Sequence, residues 1–261
     1  MKLSTIYKFQ LAEHKKSIIV FYLVIIAILA IVFAINAVSG LISSQNDFSI
    51  QVTGIDLAPA IFLFVCGLNA FKENFQMSLQ NGISRKSLFV NRIVVDLTLA
   101  VGMSLLNQII LFIGKSMASF SGTIQYSSLL EKIYGLRYAG HPNGLMLYME
   151  NFLFYIFLFA AFISIGYFIT VAFYRMNKKQ KIAYVVGFYI LAFVAFPLVD
   201  ELLYKLGIFS VQISEVLLRF LYAIMGVSAQ NPYIAMISLL MISIIMRGLT
   251  WLLVRKVGIK N

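Results

Sequence analysis

Residues 15–38 read KKSIIVFYLVIIAILAIVFAINAV and give the clearest indication of the fold. After the two lysines come 22 residues, Ser17 to Val38, without a single charged side chain. A helix needs about 20 mostly apolar residues to cross a bilayer, so this segment predicts a transmembrane helix. Ala37-Val38-Ser39 resembles a signal-peptide cleavage site, but the apolar core is roughly twice the usual 7–15 residues, which favours an uncleaved span.

The composition of the whole chain supports a membrane protein. Of 261 residues, 61% are hydrophobic and 12% are charged, whereas soluble proteins have roughly 45–50% apolar and about 25% charged residues. Five further segments have the character of the first. We therefore predict an all-α polytopic membrane protein, one transmembrane domain over residues 1–261, with six transmembrane helices. They are Ser17 to Val38, Ile55 to Phe71, Ile93 to Ile113, Met146 to Phe173, Ile182 to Val199 and Tyr233 to Val254.

The placement of the cations predicts the topology. Lys and Arg total 21 against 10 Asp and Glu, a formal charge of +11. Sixteen of the 21 lie in the two termini and in the second-to-third and fourth-to-fifth connections. By the positive-inside rule both termini are then cytoplasmic, in a plasma membrane. The positive charge is thus expected to meet the bilayer surface rather than nucleic acid, and the richness in Ile, Lys and Asn suggests a bacterial source.

Two segments allow more than one interpretation. Residues 1–16 place Leu3, Ile6, Tyr7 and Leu11 at helical spacing, which favours an amphipathic interfacial helix over a frayed basic tail.

Ser210 to Val227 is apolar enough for a seventh span, but Glu215 and Arg219 lie in its middle. An odd number of spans would also put the basic C-terminus outside. We therefore interpret residues 200–232 as an extracellular helical loop with a Glu215–Arg219 pair.

Motifs for catalysis are weak. Gly114-Lys115-Ser116 resembles the end of a phosphate-binding loop, but Ile109 occupies the position that requires glycine. Asp200-Glu201-Leu202-Leu203-Tyr204-Lys205 resembles the Glu-Glu-x-x-x-Arg motif of intramembrane CAAX-type proteases, with both ends altered and no later histidine. One cysteine and two histidines are too few for an ordinary zinc site. We expect neither catalysis nor a cofactor or metal in this chain.

The third span carries a polar stripe. At 100° per residue, Arg92, Asp96, Ala100, Ser104 and Asn107 fall within one arc of about 140°. Polar groups at membrane depth usually face protein or a water-filled path. The stripe therefore predicts either a translocation pathway or helix packing, with Asp96 paired to Arg92 or to Arg247 of the last span.

The connection between the second and third spans gives the strongest functional signal. Residues 71–89 read FKENFQMSLQNGISRKSLF, in which apolar and polar residues alternate. Asn81-Gly82 can end a helix with a left-handed cap, and Ser84 can begin the next one. The pattern predicts a short helix, a sharp break and a basic helix that enters the membrane. Such a helix could transmit force from a partner, or the segment could be a simple positive anchor.

In this layout the chain resembles the permease subunits of ABC-2-type exporters. The residues that carry the resemblance are the stretch with Glu73 and the string Gly82-Ile83-Ser84-Arg85-Lys86, together with the six spans and the N-terminal helix. The resemblance implies a coupling helix within residues 72–92 that docks on a separate ATPase subunit. Its contact residues would be Glu73, Gln76, Leu79, Gly82, Ile83, Ser84 and Arg85.

The function expected from this resemblance is export of a hydrophobic or amphipathic substrate, such as an antimicrobial peptide, toxin or drug, by a non-catalytic subunit. ATP and Mg would be bound by the partner ATPase, and a second permease subunit, identical or different, would complete the transporter. A secondary transporter driven by an ion gradient and, less favoured, a membrane enzyme are the alternatives.

Overall fold

A computed structural model describes residues 3–42, 50–121, 124–140, 144–207 and 211–255, and most of these are helical. The helices are α1 (Leu3–Ile42), α2 (Ala58–Asn69), α3 (Lys72–Gln80), α4 (Arg85–Ser121), α5 (Leu129–Ile133), α6 (Gly135–Tyr138), α7 (Leu145–Arg175), α8 (Lys178–Ile190), α9 (Phe196–Lys205), α10 (Ile213–Ile224) and α11 (Pro232–Val254). A 3₁₀ turn (Ile55–Leu57) precedes α2, and a π-helical turn (Leu191–Ala195) joins α8 to α9.

Five helices are long and apolar enough to cross a membrane, which indicates a membrane-embedded protein. They are Thr5–Asn36, Arg85–Phe120, Leu145–Arg175, Lys178–Lys205 and Pro232–Val254. The remaining sequence-predicted span differs. Its helix, Ile55–Asn69, is only about 22 Å long at 1.5 Å per residue, and it bends by 41° into Lys72–Gln80. The sixth span exists only if this bent pair counts as one crossing.

The predicted interfacial helix at residues 1–16 is not a separate element in the described chain. Residues Leu3 to Ile42 form one continuous helix, so the first span simply extends toward the N-terminus. No Pro or Gly interrupts the sequence before Gly40. Side chains in the first turns of α1 also form hydrogen bonds with α4. Tyr7 Oη donates to Thr98 Oγ1 at 3.1 Å, and Gln10 Oε1 accepts from Asn91 Nδ2 at 3.4 Å. These residues pack against α4.

The centre of the bundle is α7, which packs against α2, α4 and α11. Its crossing with α2 depends on two glycines that face each other's backbone. A Cβ on Gly166 would lie 2.2 Å from the carbonyl oxygen of Phe64, and one on Gly67 would lie 2.5 Å from that of Ile163. The two backbones therefore touch, as small residues allow in membrane helices.

The chain is not entirely helical as predicted, since it also contains a small sheet. Strands β1 (Ile50–Thr53) and β2 (Ile124–Ser127) pair in parallel, with Ile50 opposite Ile124. Each strand follows a long helix in the sequence, α1 or α4. Strands of four residues are too short to give a clear alternation signal in sequence, and the pairing depends on α1 and α4 ending side by side.

Polar side chains join the 3₁₀ turn, α5 and α6 to α7. Glu150 accepts from Arg137 at 2.7 and 3.1 Å and also from Tyr138. Asp56 accepts from the Leu129 amide at 2.8 Å and from the Tyr155 hydroxyl. These carboxylates fix α6, and the start of α5, on the bundle.

Among the described residues of the segment 200–232, which leave out 208–210, one helix lies outside the spans, α10, whose 12 residues are too few to cross a bilayer. Its expected Glu215–Arg219 pair is present at 2.6 Å. The fifth span is longer than predicted and ends at Lys205, so Asp200 to Lys205 belong to it. There Glu201 pairs with Lys205 at 2.7 Å, and Asp200 accepts from the amides of Ile213 and Ser214 at the start of α10.

Candidate functional site

Every member of the polar stripe on α4 is buried. Arg92, Asp96, Ala100, Ser104 and Asn107 are each at most 3% exposed, while their helix neighbours Val94, Leu97 and Val101 are 43–49% exposed. The stripe therefore faces the other helices. Ser104 Oγ, for example, donates to the carbonyl oxygen of Phe152 in α7 at 2.8 Å.

Asp96 pairs with two arginines. Its Oδ1 lies 2.8 Å from Nε of Arg92, one turn earlier on α4, and its Oδ2 contacts Arg247 of α11. Asp96 is eleven residues from the start of α4, or about 16 Å along the helix axis. This places the charged group well inside a span. Charges at such depth are costly unless paired, which explains the double ion pair.

Three side chains that the sequence did not single out complete the cluster. His14 Nε2 of α1 lies 3.2 Å from Arg92 Nη1, and Ser164 Oγ of α7 accepts from Arg247 Nε at 3.0 Å. The ring centroid of Tyr167 lies 5.6 Å from Cζ of Arg92 and 5.7 Å from Cζ of Arg247, so the ring is a cation–π partner of both. We name Arg92, Asp96, Arg247, His14, Ser164 and Tyr167 the charge cluster.

No periodic signal marked these three residues. His14 lies in the segment interpreted as an interfacial helix, whereas the continuous α1 brings it to Arg92. Ser164 and Tyr167 occupy a span whose other residues are nearly all apolar. A search for polar residues at matching depth in different spans could have found Ser164, as it found Arg247.

The segment that follows α2 has the predicted break. The amide of Gly82 donates to the carbonyl oxygen of Leu79 at 3.0 Å, and that of Ile83 to Ser78 at 2.9 Å. With φ of 71° at Gly82, this is the Schellman motif. Ser84 Oγ then accepts from the amide of Ser87 at 3.1 Å and caps α4. The predicted left-handed cap at Gly82 and helix start at Ser84 are both confirmed.

One face of α3 is held firmly by the bundle. Phe75 is fully buried and stacks on Phe71, with ring centroids 4.8 Å apart. Asn74 Nδ2 donates to Glu13 Oε2 of α1 at 2.8 Å. The same apolar cluster contains Ile6 of α1 and Val254 of α11, so the first and last described helices meet at this end of the bundle. We call it the α3 end.

The sequence-predicted docking residues divide between the two faces of this segment. Glu73, Gly82 and Ser84 are exposed, and Gln76 and Leu79 are half-buried. Ile83 is buried in the apolar cluster beside α3. Arg85 Nη1 donates to the carbonyl oxygen of Arg255 at 3.0 Å and thereby joins the start of α4 to the end of α11. In this conformation Ile83 and Arg85 serve the packing of the α3 end, and Glu73 and Gln76 lie on its free surface.

Comparison with known proteins gives no significant match to any family model, any curated protein or any solved structure. The functional interpretation therefore depends on the geometry of the α3 end and of the charge cluster.

Proposed function

We propose that this chain is the permease subunit of an ATP-driven exporter of the ABC-2 type, and that α3 is the helix through which a separate ATPase subunit acts. The observation that supports this most is the construction of α3 itself. It is a short helix at one end of the bundle, with an apolar face fixed to the spans and a polar face left free.

The way α3 is fixed suits the transmission of force. Phe71, Phe75 and Ile83 anchor it to α7 and α11 through one apolar cluster, and Asn74 ties it to α1. The Schellman motif at Gly82 joins it to α4 over a very short connection. A push on the polar face would thus reach four spans at once, because close-packed elements move as rigid units. In this proposal the α3 end is cytoplasmic, in agreement with the positive-inside rule.

The fifth span supports the presence of a second permease subunit. No residue of α8 or of the π-helical turn is buried, and α9 buries only Asp200. By contrast, half of the residues in the most apolar stretch of α7 are buried. A span with so little packing against its own chain leaves its surface free for another subunit.

We expect the polar face of α3 to be required for ATPase binding. Glu73→Lys combined with Gln76→Ala changes only side chains that lie outside the apolar cluster. Loss of two interface side chains should lower the ATPase recovered with the purified chain by at least about tenfold. The measurement is the nucleotide-hydrolysing activity that co-purifies from native membranes, per mole of chain.

The control is Lys178→Glu combined with Lys179→Ala, two exposed positions at the start of α8. These positions follow the end of α7, which packs at the α3 end. The control changes the formal charge by three units, against two units of opposite sign for the α3 variant. Recovery should stay within about twofold of wild type, since exposed residues outside an interface contribute little. Equal recovery with the α3 variant and with wild type would contradict the docking assignment.

The cargo we propose is a hydrophobic or amphipathic molecule, because the described spans offer apolar walls.

The charge cluster favours one competing function. Ionisable groups at membrane depth also mark ion-coupled carriers. Transport that survives removal of ATP but stops when the ion gradient is collapsed would favour that secondary transporter over the exporter.

A further inference from the structure

A crevice opens between α4 and α11 above the charge cluster. Its volume is about 300 Å³, and α7 forms its floor. Ile93 and Leu97 of α4 and Leu240 and Ile244 of α11 form the rim, and the last three are 41–56% exposed. Asp96, Arg247, Ser164 and Ser243 line the inside. The crevice thus has an apolar mouth at membrane depth and a polar interior.

The crevice lining itself is neutral, with one aspartate and one arginine, but the charge cluster behind it has one positive charge in excess. Arg92 and Arg247 share a single carboxylate, that of Asp96. Arg247 Nη1 is buried without a hydrogen-bond partner among the described residues, and so is Nη2 of Arg92. A buried guanidinium donor without an acceptor is costly. Arg247 lines the crevice with its side chain 12% exposed, so an anionic oxygen there would contact the guanidinium, pair with Nη1 once that group turns outward, and neutralise the excess charge.

We propose that this crevice binds an anionic amphiphile that enters sideways from the bilayer. Its headgroup lies against Arg247 and the hydroxyl groups of Ser164 and Ser243, and its chain lies along Leu97 and Leu240. The apolar rim distinguishes such a ligand from a free anion, which would gain nothing from those side chains. This inference deepens the proposed function, because it assigns the exporter a class of cargo, and it rests on that function only for the direction of transport.

Binding can be measured with the chain's one tryptophan. Trp251 lies one helical turn from Arg247 on α11 and is half-buried. Bromine quenches an indole only at short range, so the bromine is placed on the chain carbons next to the headgroup, beside Arg247, because Leu240 lies about 16 Å along α11 from Trp251. We would titrate the purified full chain, in zwitterionic detergent without ATP or ATPase, with brominated phosphatidylglycerol and separately with brominated phosphatidylcholine. We expect half-quenching at an about tenfold lower concentration of the anionic lipid, as one charge-assisted hydrogen bond provides.

Two variants test the site. Arg247→Gln removes the donor, and Ser243→Leu fills the interior of the crevice while keeping every charge. Both should abolish the tenfold preference. Arg255→Gln is the matched control, because it removes an exposed cation at the same sequence distance on the other side of Trp251. It should keep the preference. If Arg247→Gln does not fold, the result with Ser243→Leu decides.

The possible outcomes separate the sources of the anion. Inorganic phosphate at millimolar concentration should leave the quenching unchanged. Relief of quenching by phosphate alone would show a site for free anions and overturn the proposal. So would equal quenching by both lipids, or an unchanged preference in Ser243→Leu. Because the assay contains no ATPase, these results are independent of whether an ATPase docks on α3.

Discussion

Asp96→Asn is expected to destabilise the protein by about 3–5 kcal/mol, the usual cost of removing one partner from a buried ion pair. The amide would leave Arg92 and Arg247 without a counter-charge inside the bundle. For a chain of this size that corresponds to a fall in the unfolding temperature of about 10 °C. Insertion into the membrane should be normal, whereas transport of a fluorescent amphipathic probe into vesicles should fall by at least about tenfold.

The controls for Asp96→Asn identify the cause. Asp96→Glu keeps the charge and should retain most of the stability. Combining Asp96→Asn with Arg247→Gln removes an unpaired cation, so the double variant should be more stable than the sum of the two single effects predicts. An unfolding temperature and a transport rate equal to those of wild type would remove Asp96 from both the packing and the mechanism.

Gly166→Ala is expected to have the second large effect. The added Cβ would lie 2.2 Å from the carbonyl oxygen of Phe64, and it cannot move aside because both contacting groups are backbone. Separating α2 from α7 would open the centre of the bundle. We expect a loss of more than about 3 kcal/mol, at the upper end of overpacking effects. Thermal unfolding followed by size-exclusion elution of the purified chain measures it.

Gly187→Ala makes the same substitution in another helix as a control. A Cβ at Gly187 meets no atom of the described residues within 4 Å. Alanine is the better helix former by about 1 kcal/mol, so this variant should be neutral or slightly more stable. If Gly166→Ala matched it, the close crossing of α2 and α7 would be wrong.

Much of the fold could be predicted from local sequence signals. The lengths of the apolar segments predicted the five long spans. The Schellman cap at Gly82, the N-cap at Ser84 and the Glu215–Arg219 pair each depend on residues within one helical turn or connection. Such features need no knowledge of tertiary structure, because their hydrogen bonds are formed by neighbouring residues.

The features that escaped prediction depend on contacts between distant segments. His14 was assigned to an interfacial helix because its neighbours are amphipathic, yet α1 continues straight and places it against Arg92. Gly67 and Gly166 are 99 positions apart and carry no signal until α2 and α7 cross. The 41° bend between Ile55–Asn69 and Lys72–Gln80 also escaped prediction, because it depends on how Phe71 packs in the apolar cluster beside α3.

We propose above that a separate ATPase binds the polar face of α3. The most direct measurement is site-specific photo-crosslinking in native membranes, with a benzophenone amino acid at Gln76 and, as a control, at exposed Phe112 on the membrane-facing surface of α4. We expect Gln76 to form a covalent adduct in which mass spectrometry identifies a nucleotide-binding subunit, and Phe112 to form none. An adduct pattern at Gln76 without any nucleotide-binding protein would contradict it.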